Sequence, residues 1–281
     1  RPSMVNPSRP LNAPANPTAI RIPVLASLPN LRDLGGYPTR GGGRVRPGLV
    51  YRSTDLAGIE GADAEAFARL GIRAVYDLRT LGERTAKPDR LPPGTAYVVT
   101  DVLEASAQPA PAELMAVLES PELARAAFGD GRAATFFDQA YREFVSLDSA
   151  RSAYRRLFSD LVQARHRPAL FHCSTGKDRT GWAAAALLMF LDVADELVMA
   201  DYLLSGDRLL VSLQPVLDDF RDRGGDPEIL RPILDVRPEY LEVAIDEMRR
   251  MFGSIDGYFE TGLGIGPAAG GALRAALTEP G

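Results

Sequence analysis

His172-Cys173-Ser174-Thr175-Gly176-Lys177-Asp178-Arg179-Thr180-Gly181 is the stretch on which the reading of this chain turns. It holds the only cysteine among 281 residues and one of two lysines. A short apolar run, Pro168 to Phe171, precedes it, and an alanine-rich apolar run from Trp182 follows. That order predicts strand, tight loop, helix. A helix N-terminus presents backbone N–H groups with no intrahelical acceptor and a field that favours anions. Successive N–H groups of the preceding turn converge as a nest, and Gly176 lets the turn close without a Cβ. Cys173 stands at the base of such a loop, where the donors would hold a thiolate. Arg179, six positions on, is placed to return over a tetrahedral anion and pair two of its oxygens.

The chemistry these parts point to is nucleophilic phosphoryl transfer. Cys173 attacks phosphorus in line. The loop from Ser174 through Thr175, Gly176, Lys177 and Asp178 to Arg179 carries the charge on the equatorial oxygens. Water then cleaves a phosphocysteine intermediate. Thr180 is placed to donate its hydroxyl to the sulfur. His172 reads as a hydrogen-bond partner that orients the loop rather than as a base. Other chemistries fit less well. The Gly176-Lys177 pair lacks the glycine spacing and the following Ser or Thr of a Walker loop. One Cys and two His do not make a zinc ligand set, so neither metal nor cofactor is expected. A sulfurtransferase has no need of Asp178-Arg179-Thr180, and a silent phosphate-binding module has no need of the thiol.

Outward from the loop, Leu49 to Ser53, Ile72 to Leu78 and Thr95 to Thr100 read as strands, and Asp63 to Leu70 as a helix ended by Gly71. Strand and helix in alternation predict an α/β fold with a mostly parallel central sheet flanked by helices. Gly41 to Gly43 reads as a hairpin tip. Helices are expected over 135–145 and 149–164, where Tyr154, Leu157, Phe158 and Leu161 make an apolar stripe. Further helices are expected over 181–190, 196–204, 209–222, 239–252 and, briefly, 256–261. One domain is expected over 20–270, with a Pro-, Asn- and Ser-rich flexible arm over 1–19 and a C-terminal tail over 271–281. Pro109 and Pro111 introduce a helical insertion at 105–135, a candidate lid over the loop.

Composition bounds the rest. A hydrophobic content of 46% supplies a substantial core. A net charge of -5 argues against sequence-independent nucleic-acid binding. No apolar run reaches the roughly 18 residues of a membrane span, and the insertion is too acidic for stable membrane anchoring. Residues 1–18 lack the apolar core of a signal peptide, so the location expected is the cytoplasm or, after export, outside the cell. A lone cysteine excludes an intrachain disulfide, and a nucleophilic one must be kept reduced. Nothing in the sequence speaks to oligomeric state.

The decapeptide HCSTGKDRTG at 172–181 resembles the signature of cysteine-dependent protein tyrosine phosphatases, in the bacterial, dual-specificity-related branch of mycobacterial PtpB-like and Listeria LipA-like enzymes. NLRDLGGY at 30–37, YRS at 51–53, GIRAVYDLRT at 71–80, DYLLS at 201–205 and RPEYLEVAIDEMRRMFGSIDGYFETGLGI at 237–265 extend the resemblance over roughly 28–265. It implies a parallel-sheet phosphatase core with extra helices near the mouth of the site. It implies removal of phosphate from tyrosine, in some members from serine or threonine, and in several from phosphoinositides. The partners it implies are a phosphorylated protein or peptide, with a phosphoinositide headgroup as the alternative.

By the same resemblance Cys173 is the nucleophile and Arg179 the phosphate clamp, with Lys177 and Asp178 beside the phosphate. Lys177 then either contacts a second phosphate, as on an inositol ring, or is a solvated loop lysine. A general acid is needed for a tyrosine leaving group. Asp101, at the end of the strand over 95–100, is one candidate; Asp178 and Glu104 are the others. Arg32, Asp33, Arg52, Asp77 and Arg79 lie in the resembling motifs. Arg32 and Asp33 are expected to pair and brace the loop. Asp77 and Arg79 are expected to form a salt bridge or to touch substrate.

Overall fold

The computed structural model describes residues 25–108 and 120–281. The arm expected over 1–19 and the part of the insertion between 109 and 119 lie outside the described residues. The strands are β1 (Arg32–Asp33), β2 (Gly43–Val45), β3 (Val50–Ser53), β4 (Ala74–Asp77), β5 (Ala96–Val99), β6 (Ala169–His172) and β7 (Thr278–Pro280). Five of them form one sheet in the order β1-β3-β6-β4-β5. β3, β6, β4 and β5 run parallel, and β1 lies antiparallel on β3. The mostly parallel sheet expected from the alternation of strands and helices is the sheet the chain forms.

The apolar run before the loop becomes β6, the middle strand, buried along its whole length. It is buried because both faces of the sheet are covered, as parallel sheets require. Alternate residues divide the core in two. Tyr51, Val75 and Leu170 pack with Leu56, Ile59 and Phe67 of the region around helix α1 (Gly61–Ala68) on one face. Val50, Ala74, Tyr76, Ala169 and Phe171 face the larger cluster on the other. The register sets Ser53, Asp77 and His172 side by side at the C-terminal ends of three adjacent strands. The reactive loop leaves from that edge, the customary place for a ligand in an open α/β sheet.

Further helices among the described residues are α2 (Leu81–Ala86), α3 (Pro121–Phe128), α4 (Arg132–Ser146), α5 (Asp148–Asp160), α6 (Arg179–Phe190), α7 (Asp195–Asp222), α8 (Arg231–Leu234), α9 (Pro238–Phe252) and α10 (Pro267–Leu277), with short helical segments at Ile255–Gly257 and Tyr258–Gly262 where a brief helix is expected. α6 follows the loop directly, and its Trp182, Leu187, Leu188 and four consecutive alanines are buried. The alanines are small enough for the helix to lie close to the sheet. Of the expected insertion, α3 buries Ala124 and Phe128. The segment before residue 109 is tied to α5 and α4: Ser149 Oγ donates to the Val102 carbonyl at 2.8 Å and Ser106 Oγ to Glu143 Oε2 at 2.6 Å.

Two expectations are corrected. The helices expected over 196–204 and 209–222 are one helix, α7, of 28 residues, with Gly206 and Pro215 inside it. Packing of α7 on α6 and α9 overrides the breaking tendency of both residues. The tail expected over 271–281 is instead the end of α10 and strand β7, which pairs antiparallel with β2. Leu273 and Leu277, four apart on one helix face, are fully buried there.

Candidate active site

The loop between β6 and α6 is held from outside by its carbonyls. Asp55 N–H donates to the Ser174 carbonyl at 3.1 Å. Asn30 Nδ2 donates to the Thr175 and Gly176 carbonyls at 3.1 and 3.0 Å, and Arg52 Nη2 donates to the latter at 2.8 Å. Among the described residues, none accepts a hydrogen bond from the backbone N–H groups of Ser174 to Arg179. A row of donors without acceptors, on a turn whose carbonyls are engaged, is an anion nest at a helix N-terminus. Gly176 makes the turn possible. Its φ is +68°, and a Cβ there would stand 2.2 Å from the Ser53 carbonyl oxygen.

The residues that pin the carbonyls are themselves fixed. Arg52 Nη1 donates to Asp201 Oδ2 at 2.6 Å, and Arg32 Nε donates to Asp201 Oδ1 at 2.9 Å. Tyr37 donates its phenol to Asp201 Oδ1, and Arg32 also reaches Ser205 Oγ and, through a close contact, Asn30 Oδ1. Burial pushes the Asp201 carboxyl up, but the two guanidiniums outweigh it and hold the group at about 2. Burial, with Arg32 adding to it, lowers Arg52 to about 10 against the pull of Asp201. Arg32 therefore pairs with Asp201 and not with Asp33. Adjacent residues of a strand point to opposite faces, so the two cannot meet. Asp33 instead accepts from the Gly35 and Gly48 N–H groups at 2.7 and 2.6 Å and ties two turns together.

Cys173 is 1% exposed, at the bottom of the nest. Arg179 is held by a residue that the sequence reading missed. Glu83 on α2 accepts Arg179 Nη1 and Nη2, both at 2.8 Å, and also Ser174 Oγ at 2.5 Å. Burial pushes Glu83 up, but Arg179 and then Ser174 outweigh it and hold the carboxyl at about 2. A guanidinium has five N–H donors. Glu83 takes one from each Nη, and the Leu78 carbonyl takes the second Nη1 proton at 3.4 Å. The Nε–H and the Nη2–H parallel to it remain, two donors on one edge, matched to two oxygens of a phosphoryl group. A local signal for Glu83 was present: Thr80-x-x-Glu83 is a capping box, and it forms at the start of α2.

The candidate acids lie in different surroundings. Asp101 sits just past β5, half-buried, where Leu103 N–H donates to Oδ1 at 3.0 Å and Arg84 Nη1 to Oδ2 at 3.4 Å. Burial raises its carboxyl from the ordinary value, against the lowering pull of that N–H and of Arg84 and Arg179. Asp178 accepts the Tyr141 phenol on Oδ1 at 2.8 Å. Glu104 is exposed. Lys177 is not solvated, as one reading had it. It is buried, its Nζ donates to the Ile233 and Asp235 carbonyls, and it lies 5.3 Å from the centre of the Phe137 ring. Thr180 Oγ1 is buried and makes no hydrogen bond among the described residues, so its expected bond to the sulfur is not formed.

Beneath the loop, His172 Nδ1 lies 3.0 Å from the Cys173 carbonyl and Nε2 lies 3.0 Å from Asp89 Oδ2. The second pair is close but misaligned for a hydrogen bond. Burial lowers the imidazole, but Asp89 and Asp77 outweigh burial and the net shift is upward. Arg79 Nη2 pairs with Asp77 Oδ2 at 2.7 Å and with Asp89 Oδ1 at 3.0 Å. Tyr97 adds its phenol to Asp77 at 2.7 Å. Asp77, Asp89 and His172 are near enough to share a cation. The Arg79 guanidinium sits between the two carboxylates and Tyr97 donates to one of them, so their oxygens are already engaged in an internal network. Asp77 and Arg79 form the salt bridge that was one of the two expectations for them.

Comparison with known proteins agrees with this geometry. Residues 23–279 match the model of the tyrosine phosphatase family. A putative tyrosine-protein phosphatase of Cupriavidus necator is 33% identical over 241 residues, which cover 85% of this chain and 83% of the relative. The triple specificity protein phosphatase PtpB of Mycobacterium tuberculosis is 29% identical over 274 residues, 88% of this chain and 96% of the relative. A tyrosine-protein phosphatase of Nostoc commune is 28% identical over 160 residues, 56% of this chain and 48% of the relative. With the family model spanning nearly the whole chain, and a nest, a thiol and an arginine fork gathered at one sheet edge, this chain belongs to the tyrosine phosphatase family.

Proposed function

We propose that this chain hydrolyses phosphotyrosine monoesters through a phosphocysteine intermediate, with phosphoserine and phosphothreonine as slower substrates. The observation that carries the reading is the pairing of donors with the thiol. The N–H groups from Ser174 to Arg179 have no acceptor among the described residues, Arg179 keeps its Nε and Nη2 edge, and Arg179 is close enough to Cys173 to feel its charge. Cys173 Sγ attacks phosphorus as the P–O bond to the phenol breaks. The charge on the three equatorial oxygens is met by fixed donors that need no reorganisation.

The leaving phenolate takes a proton from Asp101, whose carboxyl is raised by burial and stands within the field of Arg179. In the second step a water oxygen attacks phosphorus, the P–S bond breaks, and the electron pair returns to sulfur. The burial of Cys173 supports tyrosine over serine, because a phenyl ring carries its phosphate farther from the peptide backbone and so reaches a recessed thiol more readily. A phosphoinositide reading rested on Lys177, and the engagement of its amine with two carbonyls removes that support.

The test is phosphate release from a phosphotyrosine peptide, a phosphoserine peptide and a phosphoinositide panel, with Cys173→Ser as control. Turnover of the tyrosine peptide that disappears in Cys173→Ser is expected. Preference for a lipid, or turnover that survives the substitution, refutes the reading. Asp101→Asn is expected to slow a poor leaving group by about 100-fold or more and a good one much less. Equal loss for both would remove Asp101 from the role of acid.

A further inference from the structure

Asp178 stands at the first turn of α6, yet its side chain does not cap that helix. It is drawn aside by two buried phenols. Tyr141 of α4 donates to Asp178 Oδ1 at 2.8 Å, and the Tyr141 and Tyr202 phenol oxygens are 2.6 Å apart. A phenol has one proton to give, and an ionised carboxylate can only accept. Tyr141 has committed its proton to Asp178, so Tyr202 must donate to Tyr141. The hydroxyls thus form a one-way chain, from Tyr202 through Tyr141 to Oδ1.

The chain is built into the packing. Tyr141 and Tyr202 are both essentially inaccessible to solvent. Burial first, and then the charge of Asp178, raises both phenols far above the physiological range, so both remain donors. Tyr202 reaches the first turn of α6 because residue 181 is glycine: a Cβ there would stand 2.9 Å from its ring. Lys177 Nζ lies 3.7 Å from the same Oδ1, which adds positive charge on that side. Oδ2 accepts no hydrogen bond from the described residues, and the carboxylate side chain keeps 21% of its exposure. One oxygen is therefore clamped and the other is available, on the residue directly before the phosphate clamp.

We propose that Tyr141, backed by Tyr202, is a positioning residue that aims Asp178 Oδ2 at the water that cleaves the phosphocysteine. In that step water oxygen bonds to phosphorus, its proton passes to Asp178 Oδ2, the P–S bond breaks and sulfur leaves as thiolate. The inference rests on the phosphocysteine mechanism proposed above and concerns its second half only.

The experiment uses the full chain with p-nitrophenyl phosphate, steady-state kinetics and acid quench of the cysteine adduct. Tyr141→Phe keeps the ring and removes the hydroxyl. Loss of one orienting hydrogen bond is expected to lower kcat about tenfold. KM falls by the same factor, kcat/KM is unchanged, and the fraction of enzyme trapped as phosphocysteine rises, because only the second step is slowed. Asp178→Asn reproduces the split, and Tyr202→Phe, which leaves the bond from Tyr141 to Asp178 in place, shows it more weakly. These two variants carry the test if Tyr141→Phe does not fold. A fall in kcat/KM that matches the fall in kcat, or unchanged kinetics in Tyr141→Phe and Asp178→Asn, overturns the proposal and leaves the parent mechanism standing. A wild-type enzyme that turns over with no cysteine adduct overturns both.

Discussion

Replacing Glu83 with Gln separates two roles that its contact with Arg179 allows. The carboxylate either presents the guanidinium to a phosphoryl group or competes with that group for it. Both side chains are 6% exposed and share two hydrogen bonds of 2.8 Å. Gln keeps one acceptor and turns the other into an NH₂ facing an N–H. One hydrogen bond to a charged group is lost, about 1.5–3 kcal/mol. The guanidinium is also left without its counter-charge, which moves the cost to stability toward the roughly 3–5 kcal/mol of a broken buried pair. If the pair presents Arg179, the first figure appears in the transition state as well and kcat/KM falls about 10- to 150-fold. The assays are urea unfolding and steady-state kinetics on a phosphotyrosine peptide, with vanadate as a competitive oxyanion probe. Glu83→Gln is expected to be less stable, slower and weaker for vanadate. A variant that binds vanadate more tightly and turns over faster would show Glu83 to be a competitor and refute the positioning role.

Other outcomes follow from the same contacts. Gly176→Ala places a Cβ on a residue with φ +68° and 2.2 Å from the Ser53 carbonyl, so it should abolish turnover and cost more than about 1 kcal/mol in urea unfolding. Asp201→Asn leaves two buried guanidiniums under-compensated and should cost about 3–5 kcal/mol, with a rise in KM as the loop carbonyls lose their anchor. Glu83 and Asp201 are both held at about 2 in the folded chain, below their unfolded values. Their stabilisation is therefore fully present above about pH 5 and is lost as pH falls toward 2. Urea midpoints measured across that window should fall for the wild type and fall less steeply for Glu83→Gln. Lys177→Met should lower the unfolding midpoint, since it removes the ammonium from the Ile233 and Asp235 carbonyls, with little change in KM for a phosphotyrosine peptide. A large rise in KM would instead place the amine on substrate.

The reactive loop was legible because its parts are contiguous: thiol, glycine, arginine and helix start lie within ten residues. The sheet was legible because β3, β4 and β6 are short runs buried along their whole length, β5 is a β-branched and aromatic run at the edge, and all four have clear stops. What escaped was assembled through space. Glu83 could be read from the sequence as a helix cap, but its reach to Arg179, 96 residues away, depends on how α2 leaves the sheet beside β6. Asn30 is likewise 146 residues from the Gly176 carbonyl it anchors, and Asp201 is 149 from Arg52. The proposed pairing of Arg32 with Asp33 failed on strand geometry alone, which alternation could have excluded. α7 reads from the sequence as two helices, 196–204 and 209–222, because local propensity does not register the packing on either side of the gap. The chain end reads as a tail because β7 has no core of its own and forms only against β2.

Cysteine-based phosphoryl transfer is tested most directly by acid quench of this chain during turnover of a phosphotyrosine peptide, followed by mapping of the modified residue. A phosphate adduct on Cys173, formed and discharged at rates that account for turnover and absent from Cys173→Ser, is the expected result. Phosphate release with no adduct on Cys173, or release that continues in Cys173→Ser, would contradict it.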